Sequence, residues 1–280
     1  MKLLSFSAAG RLSYGALAGD GIVDLGRHTR YSTLRAALSA GAVDELKAAA
    51  RTASADLKLS EVTLLSPVPD AEKIVCIGVN YKEHIREVGR QIPDQPSVFL
   101  RLHSSLVASG APIVRPRVSQ DFDYEGELAV VIGKPGHAIG RDAALGHVAG
   151  YTCFNDGSIR DFQLKGSLAM GKNFMSTGSI GPWMVTADEI PDPTRLQLET
   201  RLNGSRVQHS GVDDLIFDIP AIIAYVSMAM PLTPGDIIAT GTPAGVALGK
   251  KPPRWLKPGD VVEVEISNIG VLRNAVIDES

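Results

Sequence analysis

No apolar run in this chain approaches the roughly 18 residues needed to cross a bilayer, so a membrane-spanning helix is excluded and a soluble protein is expected. The N-terminal MKLLSFSAAG is a poor secretory signal, because serines interrupt its apolar stretch and Arg11 follows at once. It reads as a first strand. Only two cysteines occur, Cys76 and Cys153, each inside an apolar run and without CxxC or zinc-ligand spacing. That excludes a disulfide framework and a cysteine zinc site, and it fits buried, reduced thiols in the cytoplasm. A block of basic residues is also missing: 28 Lys and Arg stand against 31 Asp and Glu, spread along the chain, which argues against a nucleic-acid partner. No GxSxG nucleophile elbow appears, which argues against a serine hydrolase of the α/β-hydrolase type. The segment GSLAMGKN, residues 166 to 173, mimics a phosphate-binding loop. However, Asn173 stands where Ser or Thr must hold Mg²⁺, and RDFQLK before it reads as helix rather than strand.

What the chain has is length for a substantial core, 28 Gly and 17 Pro, and many short strand-like runs. KLLSFS, YGALAG and GIVDLG form a meander, the last two joined through Asp20-Gly21. STLRAALSAG and AVDELKAAARTA carry helical spacing, with Ser32 as cap of the first and Gly41 as its end. Residues 1–68 are therefore expected to be a small N-terminal α/β domain, connected by a Pro-containing stretch to a main domain over 69–280 whose first strand begins near Lys73. In the main domain KIVCIGV, ELAVVIG, GYTCFN, PWMVT, LQLETRLNG, DIIATG and DVVEVEISNIG read as strands and IPAIIAYVSMAM as a helix. Strand and helix do not alternate as in a Rossmann sheet. The expected class is strand-rich α+β, a roll or sandwich.

Three segments can carry chemistry. In DFDYEGELAVVIGK, residues 121 to 134, Glu125 and Glu127 are two apart and share a face if extended. Paired anions at the edge of an apolar strand ask for a cation, and an oxygen-only site suits Mg²⁺ or Mn²⁺, with Ca²⁺ a further candidate. A solvated strand end is the competing reading. In GYTCFNDGSIRDFQ the strand ends at a turn that puts Asp156 at its tip, either as a third carboxylate or as a simple Asx-turn, with Ser158 placed to cap the next helix. In GVNYKEHIREVG, His84 and Glu87 are three apart and meet if the piece is helical. A carboxylate that orients a histidine raises its basicity, as removal of a proton from water requires. Otherwise His84 is an exposed residue on a polar turn.

Taken in order, GVNYKEH, DYEGELAVVIGK, GYTCFNDGSIRDFQ, GKNF, GPWMVTADEI and ATGTPAGV resemble the fumarylacetoacetate hydrolase superfamily over about residues 70 to 275. The resemblance implies a mixed β-sandwich roll, a homodimer, and Mg²⁺ or Mn²⁺ held by Glu125, Glu127 and Asp156. It implies a catalytic pair at His84 and Glu87 in a segment that often orders as a lid. Lys172 is implied as the group that stabilises enolate charge, and Tyr81, Gln163 and Thr242 as substrate contacts. Where many members carry Lys-Pro after the V-F segment, this chain has Arg101 and His103; Arg101 is a candidate substrate contact, and Arg86 and Arg90 nearby are further candidates for a substrate carboxylate, with solvated surface arginines as the competing reading. The R-D pair is kept at Arg160 and Asp161, but Gly157 and Ile159 depart from the commoner pattern.

The implied activity is metal-dependent hydrolysis of a C–C bond in a small 1,3-dicarbonyl keto acid, an acylpyruvate or fumarylpyruvate, of the kind met in aromatic compound catabolism. Its nearest rival is a decarboxylase, hydratase or tautomerase acting on a 2-oxo acid such as oxaloacetate through the same metal-enolate site. A non-catalytic metal- or sugar-binding β-sandwich is the alternative from another class.

Overall fold

The computed structural model describes residues 1–89 and 91–280, and Arg90 lies outside the described residues. Among the described residues a twelve-stranded mixed sheet and a five-stranded sheet dominate, and neither closes on itself, so the strand-rich α+β expectation holds.

The central strand, Gly126–Ile132, has every residue buried, and its two faces serve two cores. Leu128, Val130 and Ile132 point into a cluster with Leu198, Val264 and Ile266 of the five-stranded sheet and with Ile219, Ile222 and Val226 of the helix Ile219–Ala229. Ala129 and Val131 point the other way, into a cluster with Leu25, Leu34, Leu38 and Leu46 from the N-terminal helices. A period of two with both phases apolar is what a strand buried on both faces requires. Glu127, on this strand, and Glu125, just before it, continue the phase of Ala129 and Val131.

The register brings the segments that carry the candidate site residues to one sheet end. Gly126–Ile132 pairs antiparallel with Val148–Asn155, Gly126 opposite Asn155, so the strand that leaves the site lies beside the strand that arrives at it. On its other side it pairs antiparallel with Ile237–Ala239, which in turn runs parallel to Ile74–Gly78. Residues 78–84, 125–127, 156 and 241–242 therefore emerge together.

The first strand, Lys2–Ala8, bonds antiparallel to Gly178–Thr186, so the N-terminal meander extends the main sheet. Leu57–Lys58 and Thr63–Leu64, in the expected connector, pair with the third and first strands of that meander.

Some local expectations shift by a residue. The second hairpin turns on Gly19-Asp20, since Ala18 pairs with Gly21, and Gly19 supplies the left-handed φ of +63° that the tight turn needs. Thr33, not Ser32, caps the helix Leu34–Ser39, its Oγ1 accepting from the Ala36 N–H at 3.1 Å. Ser158 caps nothing: its hydroxyl donates to the Asp156 carbonyl at 2.8 Å, and the helix Arg160–Lys165 starts without a side-chain cap. Thr33→Ala should lower unfolding free energy by about 1 kcal/mol with no change in denaturant slope, as measured by urea titration.

Candidate active site

Glu125, Glu127 and Asp156 converge, each at most 5% exposed, with one oxygen from each lying within 4.8 Å of the others. The backbone sets this up. The Asp156 N–H donates to the Glu125 carbonyl at 2.8 Å, and the Asn155 side chain accepts from the Glu125 N–H at 3.1 Å. A Cβ on Gly126 would lie 2.1 Å from Thr200 Oγ1, and one on Gly157 would lie 1.9 Å from the Thr177 carbonyl. Only glycine lets the chain pass between and beside the three acidic residues this closely.

Buried cations hold the carboxylates. Lys172, 2% exposed, donates to Glu125 Oε2 and Asp156 Oδ2, both at 2.5 Å. Arg160 donates to Glu125 Oε1 at 2.6 Å, to Asp123 Oδ2 at 2.8 Å and to Gln163 Oε1 at 2.9 Å. Burial alone would push the Glu125 carboxyl up, but Arg160 and Lys172 more than offset it and hold the group well below the ordinary carboxylate range. Glu127 has the opposite balance. Burial, then the charges of Asp156 and Glu125, push it well above that range, and the Gly241 N–H at 2.9 Å is a weaker counterweight.

The residues fit a divalent cation. The donors are all carboxylate oxygens, the hard set that Mg²⁺ and Mn²⁺ prefer. With all four ionised, Asp123, Glu125, Glu127 and Asp156 would carry four negative charges against three positive ones on Arg101, Arg160 and Lys172, so the cradle would be one positive charge short of neutral and a divalent ion would turn it positive toward an acid.

A cavity of about 130 Å³ opens on the triad, well below the roughly 300–1,000 Å³ of drug-sized sites, so it suits a small molecule. His84, Gln163, Lys172 and Thr242 line it with the three carboxylates and Arg160. The short helix Lys82–Glu87 brings His84 Nδ1 to 3.0 Å from Glu87 Oε2. Because a carboxylate only accepts, Nδ1 carries the proton and Nε2 is left as the basic atom. Glu87 Oε1 in turn accepts from the Gly245 N–H at 2.9 Å. Arg160 fixes the Gln163 amide with its oxygen toward the guanidinium, leaving its NH₂ as the donor. Thr242 gives its proton to the Gly126 carbonyl at 2.9 Å and accepts from Gln208 at 2.8 Å, so toward a ligand its hydroxyl is an acceptor.

The structure does not bring Tyr81 or Arg101 to the cavity. Tyr81 is fully buried in the core beside Leu215 and Val212, and its hydroxyl has no partner among the described residues. Arg101 spends all five N–H donors inside the protein: Nε on Ser105 Oγ, Nη1 on Asp156 Oδ1 and the Gly157 carbonyl, Nη2 on the Ser105 carbonyl and Thr177 Oγ1. It reached the site as an orienter of Asp156, with no donor left for a substrate. Arg86 is exposed and paired with Glu83, away from the cavity lining.

Asp123 and Gln208 are additions. Asp123, fully buried, accepts from Arg160 and from the Ala247 and Leu248 N–H groups. Its signal was present, since 123, 125 and 127 share one alternation. Gln208 clamps Gly126 and Thr242 from the five-stranded sheet, and nothing in its strand sequence marks it.

Arg101→Lys, which keeps the charge and loses the fork, should weaken Mn²⁺ binding about 10–100-fold by calorimetry while circular dichroism is unchanged. An unchanged Mn²⁺ affinity with a raised KM would instead make Arg101 a substrate contact.

The family model described as fumarylacetoacetate (FAA) hydrolase C-terminal matches residues 73–277. The chain is 38% identical over 288 residues to the Xenopus laevis protein named oxaloacetate tautomerase fahd2, mitochondrial, covering 99% of this chain and 90% of that one. Among solved structures it is similar to the fumarylacetoacetate hydrolase of Exiguobacterium antarcticum, at a TM-score of 0.85 and 34% identity, and to the maleylpyruvate hydrolase of Sphingobium sp. SYK-6 in complex with manganese(II) ion and pyruvate, at 0.85 and 30%; both chains are covered in full on both sides. Six motifs, the sheet register and these likenesses agree: the chain belongs to the fumarylacetoacetate hydrolase family.

Proposed function

We propose that the protein is a divalent-metal-dependent tautomerase that interconverts the keto and enol forms of a small 2-oxo acid of the oxaloacetate type. The observation that carries this is the pairing, across one small cavity, of an oriented base at His84 with an acidic triad embedded in buried positive charge. Relatives with the tautomerase name favour this reading over C–C hydrolysis.

Mg²⁺ or Mn²⁺ held by Glu125, Glu127 and Asp156 would supply Lewis-acid polarisation of the 2-oxo group. His84 Nε2 takes a proton from C3 of the keto form, and the C–H electron pair becomes the C2–C3 double bond as charge moves to the C2 oxygen. Glu87 stabilises the imidazolium formed. Lys172 and Arg160 put positive charge beside the developing enolate, and the proton returns to oxygen, so no atom is gained or lost. The Gln163 NH₂ is the donor available to a substrate oxygen, and Thr242 offers an acceptor. Apolar Ile77, Val79, Phe99 and Leu168 on the wall limit water.

Hydrolysis of an acylpyruvate is the second reading, favoured by the same dyad, which can activate a water, and by the likeness to maleylpyruvate hydrolase. Homodimerisation belongs to the proposal as well. Leu100, Leu102, Met170 and Met175 are exposed on two segments tied together by Asn173, which donates to the Leu100 carbonyl and accepts from the Leu102 N–H, and they offer an apolar surface to a second copy. Both cysteines are buried and unpaired, which suits a reducing compartment.

Enol absorbance of oxaloacetate and of acetylpyruvate, followed with Mn²⁺ and then EDTA, separates the readings. The expected result is Mn²⁺-dependent ketonisation of oxaloacetate without C–C cleavage, abolished by EDTA and lowered about 10²–10⁴-fold by His84→Ala. Stoichiometric pyruvate and acetate from acetylpyruvate, with no enolisation of oxaloacetate above the metal-only rate, would make it a hydrolase.

A further inference from the structure

The loop 243–250 touches both halves of the site. At one end the Gly245 N–H donates to Glu87 Oε1 at 2.9 Å, and at the same residue the Gly245 carbonyl accepts from the Tyr124 hydroxyl at 3.0 Å. Tyr124 is fully buried and immediately precedes Glu125, so its ring is fixed by the segment that carries a metal ligand. Its hydroxyl also accepts from Lys250 Nζ at 3.1 Å, which leaves its single proton for Gly245. Two further residues of the loop, Ala247 and Leu248, are tied by their N–H groups to Asp123.

The loop has no slack at Gly245 or Gly249. Gly245 has a φ of +107°, and a Cβ there would lie 2.0 Å from the Val207 carbonyl. A Cβ on Gly249 would lie 2.2 Å from Glu87 Oε1 and 2.3 Å from Glu87 Cδ. The Glu87 carboxylate is thus seated against bare backbone, with one oxygen on Gly245 and the other on His84.

We propose that Tyr124 is a positioning residue for the His84–Glu87 pair: its hydroxyl holds Gly245, Gly245 holds Glu87, and Glu87 orients His84 relative to the ligand strand. The loop is the strap on which the helix Lys82–Glu87 docks, and Tyr124 sets the distance between base and acidic triad. Nothing in the DYEGE motif marks the tyrosine for this, because the contact it makes lies 121 residues away.

The role of His84 as base rests on the tautomerase reading, so two arms are needed. In the first, Tyr124→Phe should lower turnover of the 2-oxo acid about 3- to 10-fold, the worth of one neutral hydrogen bond, with KM and Mn²⁺ affinity within about twofold of wild type. The same change in a His84→Ala background should cost nothing more. In the second, hydrogen exchange of the Gly245 amide should speed up about tenfold in Tyr124→Phe, whatever the reaction is. Gly249→Ala, which pushes on Glu87 from the other side, should repeat the non-additive loss with His84→Ala if Tyr124→Phe folds poorly. An equal loss in both backgrounds, or unchanged turnover with unchanged Gly245 exchange, overturns the proposal. A wild type without turnover on any 2-oxo acid would sink the tautomerase reading, and the exchange arm alone would then decide whether Tyr124 holds the loop.

Discussion

Everything at this site depends on keeping four carboxylates in the protein interior. An isolated buried carboxylate costs several kcal/mol, and it would protonate or unfold its surroundings. Here Arg101, Arg160 and Lys172 are buried with Asp123, Glu125, Glu127 and Asp156, and each cation bridges at least two acceptors. Removing one partner of such a pair typically costs about 3–5 kcal/mol, because a buried charge is left behind. The cations are therefore as much a part of the site as the carboxylates. They keep Glu125 ionised, while Glu127, with one backbone donor and two acidic neighbours, is the carboxyl that most needs further positive charge.

The fold contributes stiffness and register. A strand buried on both faces cannot slip by one residue without exchanging its two cores, so the position of Glu125 and Glu127 relative to Asp156 and Gly241 is set by packing far from them. His84 approaches from a separate element, the helix Lys82–Glu87, and meets the triad through the turn 241–249. On the proposed reading, rigid carboxylates and a docked base are what pre-organised electrostatic catalysis asks for, and the small cavity suits a short acid.

Much of this was legible in the residues. Alternation in DFDYEGELAV placed Glu125 and Glu127 on one face, and the N-D-G turn placed Asp156 at a strand tip, because both signals are local. The family resemblance then chose the ligand reading over a strand end or an Asx-turn. Arg101 stands where many family members carry lysine and Tyr81 lies in the N-Y motif, and on those grounds alone each reads as a substrate contact. Their actual environments are set by long-range packing, and no spacing rule reveals that all five donors of Arg101 are used internally. Gln208 and the Gly245 contact of Tyr124 were hidden for the same reason: their partners lie 82 and 121 residues away. The one-residue shifts at Thr33 and Gly19 reflect how loosely propensity fixes element ends.

A crystal structure of the protein with Mn²⁺ and oxalate, a stable planar mimic of a 2-oxo acid enolate, tests the proposed site most directly. The ion is expected on one oxygen each of Glu125, Glu127 and Asp156, with oxalate completing its shell and lying within reach of His84 Nε2 and the Gln163 NH₂. An ion bound elsewhere, or oxalate held by Arg101 or Tyr81 in place of those groups, would contradict it.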